Sequence, residues 1–111
     1  MAKYINGQST GQPFETLETR SIVVTDEALD QSQAYEGDTV IYTATVKDDL
    51  AASLPATFVA DLMINGTELI TDQVFDAGVY EQATGLLTLS FAVPAPVGNF
   101  TVKLSWDEQI I

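Results

Sequence analysis

The sequence predicts an all-β protein, an antiparallel β-sandwich of six to eight strands with an extended N-terminal arm. Three observations predict it. Apolar and polar residues alternate with period two through 39–47, 58–64, 87–93 and 100–106, as half-buried strands require. Gly, Pro, Asn and Asp separate those runs and supply turn conformations. No segment of useful length carries the 3.6-residue period of an amphipathic helix. With 111 residues, 46% of them hydrophobic, the chain suits one buried core and is too short for two.

The elements follow in order. Residues 1–19, which include the polar stretch MAKYINGQSTGQPF, read as an arm, and 20–111 as the sandwich domain with a short C-terminal tail. TRSIVVTD (19–26) is β-branched and reads as the first strand, and the polar stretch from Glu27 to Glu36 as a loop with room for a short edge strand. In TVIYTATVKD, Val40, Tyr42, Ala44 and Val46 point inward, with Thr on the other face. DDLAASLP has room for one helical turn before Pro55 stops it. ATFVADLMI turns Phe58, Ala60, Leu62 and Ile64 inward, and Asn65-Gly66 then predicts a type I′ turn into an antiparallel partner, TELITDQVF. A short strand is expected at Val79-Tyr80. LLTLSFAV places Leu87, Leu89, Phe91 and Val93 inside, and NFTVKLSW places Phe100, Val102, Leu104 and Trp106 inside.

Composition removes several kinds of chemistry. Without cysteine or histidine, the chain has no disulfides, thiol nucleophile, His-based metal site or Ser-His-Asp triad. Sixteen acidic residues stand against Lys3, Arg20, Lys47 and Lys103, a net charge of −12. That charge opposes binding to phosphate backbones and to anionic membrane surfaces. No run approaches the roughly 18 apolar residues of a spanning helix. Neither nucleic acid nor membrane is therefore expected as a partner. The opening stretch has no apolar core, so a secretory signal is not expected in it.

EGDTVIYTATV resembles the second strand of immunoglobulin-like domains, GNFTVKLSW is similar to their final strand, and LMINGTEL looks like a hairpin of bacterial and viral members. The likeness covers about residues 20–106 by strand pattern. With no Cys pair, and its one Trp in the last strand, the chain departs from antibody-type domains and resembles the disulfide-free group. That resemblance implies an immunoglobulin-like sandwich. It also points to three settings: adhesins, carbohydrate-enzyme accessory modules, and virion head or tail proteins.

Short motifs have plain readings. Asn65-Gly66-Thr67 and Asn99-Phe100-Thr101 match the glycosylation pattern, but Asn is favoured in turns anyway. Asp48-Asp49 and DEALD (26–30) lack the ligand spacing of a calcium loop and read as solvated loop charges. No catalytic constellation emerges, so no enzyme, cofactor or metal site is expected. Apolar residues on the two ends are the candidate interface: Tyr4, Ile5, Phe14 and Leu17 in the arm, Ile110 and Ile111 in the tail. Such residues can order on a neighbour by strand addition or by filling a groove. The resulting expectation is a virion protein, a homo-oligomer or multi-copy assembly, that serves as a head decoration or tail component, is assembled in the host cytoplasm and binds capsid or tail subunits. The alternative is an extracellular adhesin-type or carbohydrate-binding module, which Tyr35, Tyr42 or Tyr80 grouped on one exposed face would favour.

Overall fold

Seven strands form among the residues that the computed structural model describes, 2–14, 20–95 and 98–109. They are β1 (Ile22–Leu29), β2 (Thr39–Asp48), β3 (Val59–Ile64), β4 (Thr67–Val74), β5 (Tyr80–Glu81), β6 (Leu86–Ala92) and β7 (Val102–Ser105). All pairing is antiparallel, in one sheet ordered β1-β2-β6-β5 and a second ordered β4-β3-β7. This is the predicted all-β sandwich.

Where alternation is cleanest, the inward sets are as read from the sequence. Val40, Tyr42, Ala44 and Val46 of β2, Leu62 and Ile64 of β3, and Leu87, Leu89 and Phe91 of β6 are buried. Asn65 and Gly66 both take positive φ, 49° and 81°, and set Ile64 opposite Thr67 as a type I′ hairpin requires. The short strand before β6 lies one residue later than predicted. Tyr80 pairs with Leu87 and both side chains face the core. The centre of the core is aromatic: the Phe75 ring lies 5.0 Å from both Phe58 and Tyr80. Phe75 is fully buried, a burial that contributes on the order of 1.5–3 kcal/mol.

Three predictions need correction. β1 continues through Leu29, past the predicted loop boundary, because a bulge at Asp26 (φ 55°) absorbs one extra residue between Thr25 and Ala28 and resumes pairing with β2. The 49–58 link contains no helical turn. Asp48 Oδ1 accepts the N–H groups of Leu50 and Ala52 at 2.9 Å, which closes a turn and a Lys47–Ser53 bridge. Trp106 is not a core residue. The β3–β7 ladder ends at Asp61–Ser105, the interior at that end holds Phe58 against Phe75, and Trp106 is left 36% exposed.

The overall shape is extended, 90 × 29 × 20 Å, with a radius of gyration of 22.2 Å. A compact domain of this length has a radius near 13 Å. Residues 2–14 form no strand or helix and are exposed throughout.

Candidate functional site

Of the six predicted interface residues, Tyr4, Ile5 and Phe14 are 93%, 86% and 89% exposed; Leu17, Ile110 and Ile111 lie outside the described residues. None of the three exposed residues rests on the sandwich, and the arm does not gather them into one patch. The arm also differs from the body in charge. Lys3 is the one charged side chain in residues 2–14, and all 16 acidic residues come after Phe14.

The described part of the tail, by contrast, is held. Gln109 Oε1 accepts the Val59 N–H at 2.9 Å, and its Nε2 donates to the Val59 carbonyl at 2.7 Å. Val59 follows Asp61 and Met63 in the alternation of β3 groups that face β7. The Gln109 carboxamide thus takes the hydrogen bonds that a further residue of β7 would take.

A groove of about 440 Å³ opens at one end of the sandwich, within the roughly 300–1,000 Å³ of clefts that hold ligands. Its apolar wall draws on both sheets, with Leu29, Val40, Ile64, Phe91, Phe100 and Val102. Residues 31–36 of the β1–β2 connection form its polar rim. That connection is held by backbone and side-chain bonds. Asp30 Oδ1 accepts the Ile41 N–H at 2.8 Å, Asp38 Oδ2 accepts the Tyr35 N–H at 2.9 Å, and Gly37 N–H reaches the Val93 carbonyl at 2.9 Å. The opposite rim, Gly98 to Phe100, is tied to the β3–β4 turn. Asn65 Nδ2 donates to the Asn99 carbonyl at 3.2 Å, and its Oδ1 accepts the Thr101 N–H at 2.9 Å.

Both segments once read as solvated charge therefore include structural carboxylates. Asp48 caps its turn, Asp30 fixes the start of the β1–β2 connection, and Glu27 accepts the Tyr42 hydroxyl at 2.7 Å. Burial first, and then the hydrogen bond to Glu27 and its negative charge, push the Tyr42 hydroxyl well above the usual tyrosine range. No cluster of three or more metal-ligating side chains forms among the described residues.

The tyrosines do not share a face. Tyr42 and Tyr80 are core residues and Tyr35 is exposed beside the groove. The Tyr80 hydroxyl donates to the Val46 carbonyl and accepts the Leu54 N–H, so its chemistry is consumed in holding the 49–58 link. The site that sequence reasoning missed is the groove, whose apolar residues share the signature of ordinary core positions.

The chain matches no family model, no curated protein and no solved structure. The groove and the arm are accordingly interpreted from their own geometry.

Proposed function

We propose that this protein is a multi-copy structural subunit of a virion. On this reading it decorates the head or belongs to the tail and is assembled in the host cytoplasm. An immunoglobulin-like sandwich is the rigid body, and residues 2–14 are the attachment to neighbouring capsid or tail subunits. The carrying observation is the contrast between a body that packs Tyr42, Phe58, Phe75, Tyr80 and Phe91 inside and an arm whose Tyr4, Ile5 and Phe14 are almost wholly exposed.

The strand order supports the immunoglobulin-like part of the proposal. Orders β1-β2-β6-β5 and β4-β3-β7 correspond to strands A-B-E-D and C′-C-F of that fold. On this mapping β7, likened by sequence to the final strand, takes the place of strand F, and the position beside it is where strand G would pair. Attachment through several weak contacts per shell fits small apolar anchors on a flexible segment, since multivalency multiplies modest affinities.

The test is co-purification. Particles from the producing host, banded on a density gradient, should carry the chain. The variant Tyr4→Ser/Ile5→Ser/Phe14→Ser should lose most of that occupancy while its unfolding midpoint stays at the wild-type value. Recovery of the chain only away from particles, together with micromolar binding to glycans, would overturn the proposal in favour of the extracellular module.

A further inference from the structure

The groove lies beside an unpaired sheet edge. Asn65 N–H donates to the Thr101 carbonyl at 3.1 Å, which fixes the alternation along the β3–β7 ladder. Thr101, Lys103 and Ser105 direct their backbone groups to β3, so those of Val102 and Leu104 face the other side. Among the described residues no strand pairs with that side. The other three edges are interrupted or short. β1 carries the Asp26 bulge, β4 carries register shifts around Leu69 and Asp72, and β5 has two residues, all devices that discourage strand addition. The β3–β7 ladder runs without a register shift. An edge in register, next to an apolar groove, is the geometry that accepts an added strand.

We infer that this edge and groove receive residues 2–14 of a second copy of the chain, so that copies join head to tail. Three observations select this occupant. The arm is extended and unpartnered, with its large apolar side chains bare. Residues 2–14 lack acidic side chains, and all 16 acidic residues of the chain follow them, Glu15 and Glu18 in the link to β1 and the rest in the body. An arm is therefore the part of one copy that can approach another acidic body without adding like charge.

The third observation is polarity. Ile22, where the chain enters β1 from the arm, pairs with Asp48 at one end of the sandwich, while Leu29 lines the groove at the other. Seven steps of strand separate them, about 23 Å. Extended, the 13 residues of the arm span about 43 Å, more than β7 needs, and the surplus bridges two bodies. Arm and groove at opposite ends make a heterologous contact, which propagates as a ring or filament instead of closing as a two-fold dimer.

The inference rests on the arm being an attachment, as in the proposed function, but names a different test. The full chain is followed by sedimentation velocity over about a hundredfold range of concentration, alongside an arm variant (Tyr4→Ser/Ile5→Ser) and a groove variant (Leu29→Lys/Phe100→Gln). Wild-type mass should rise with concentration, and each variant alone should self-associate at least tenfold more weakly. Mixed, the two variants should form a one-to-one heterodimer and nothing larger, because one intact arm meets one intact groove. Unfolding midpoints of both variants establish that they fold.

Because the chain has no cysteine, Ile5→Cys in one copy and Leu29→Cys in another give a second readout. Their mixture should yield a disulfide-linked dimer under mild oxidation. A wild type that stays monomeric overturns the inference. So does a mixture with no heterodimer, or a doubly substituted Ile5→Cys/Leu29→Cys chain that closes only on itself. A chain that self-associates but never travels with particles removes the virion reading and leaves this one standing. A particle-bound chain that is monomeric in solution does the reverse.

Discussion

Tyr80→Phe and Tyr42→Phe remove the same atom from two side chains that are each 1% exposed, yet they should differ in cost because the partners differ. The Tyr80 hydroxyl accepts the N–H of Leu54, a buried residue, at 3.0 Å and donates to the Val46 carbonyl. Phenylalanine leaves the Leu54 N–H without a partner in a dry site, a loss of about 1–3 kcal/mol, with a further ~1 kcal/mol for the bond to Val46. The Tyr42 hydroxyl donates to Glu27, whose side chain is exposed and is rehydrated at once when the bond goes. Its loss should cost about 0.5–1.5 kcal/mol. In urea, with m near 1.3 kcal/mol/M, the resulting loss of about 2–4 kcal/mol lowers the midpoint by roughly 1.5–3.1 M. The assay is equilibrium unfolding of both variants followed by tyrosine and tryptophan fluorescence, with m unchanged as the check on two-state behaviour. Equal midpoints for the two variants would refute the reasoning, since the Leu54 N–H would then be satisfied by water and the 49–58 link would not depend on Tyr80.

Three further outcomes follow from local geometry. Because Tyr42 holds its proton more tightly folded than unfolded, stability is full below the unfolded value near 10 and falls as pH rises above it. The wild type should lose up to about 1.4 kcal/mol per pH unit there relative to Tyr42→Phe, read from urea midpoints at pH 9 to 11. Gly85 sits at φ 77°, and a Cβ there would lie 2.9 Å from two carbons of Lys47 and 3.1 Å from the Val46 carbonyl oxygen. Gly85→Ala should therefore destabilise by about 1–3 kcal/mol, lowering the thermal midpoint by several degrees. Asn65→Gly keeps the turn but cuts both bonds to the 99–101 segment. It should cost about 1 kcal/mol, and Asn65→Ala, which also strains the left-handed backbone, about twice that; equal costs would show that the ties contribute and the turn does not.

How much of this was legible depended on whether the signal was local. The alternation in β2, β3 and β6 and the Asn65-Gly66 turn are local, and they place most of the core. β1 was legible only as far as Asp26, because a bulge inserts one residue and breaks the period that reveals a strand. Trp106 was misread for the complementary reason: alternation persists in the sequence one residue past the point where the ladder stops. The acidic residues looked alike, yet Asp30, Asp38, Asp48, Asp61 and Asp76 each accept a backbone N–H, a role set by the turn or, for Asp61, the bulged neighbouring strand that each one meets. The groove was hidden more deeply. Leu29 falls in the stretch that reads as a loop, and Val40, Ile64, Phe91 and Val102 come from four further strands with the inward-facing pattern of ordinary core positions. Only the order of strands across two sheets reveals that the sandwich opens into a groove beside them.

That order also explains how a chain so acidic can be built for contact. Like charge on the 14 carboxylates of residues 20–111 holds bodies apart at distances up to the Debye length, about 8 Å at physiological ionic strength. Face-to-face packing of two sandwiches would bring many of those carboxylates inside that distance. A strand added at β7 does not, because the entering segment contributes backbone hydrogen bonds and apolar side chains and carries only Lys3. The same charge that makes the body a poor partner for another body leaves the arm as the favourable route between them. On the proposed contact, specificity comes from what is repelled as much as from what is bound: one edge in register, three interrupted or short ones, and an entering segment, residues 2–14, free of carboxylates.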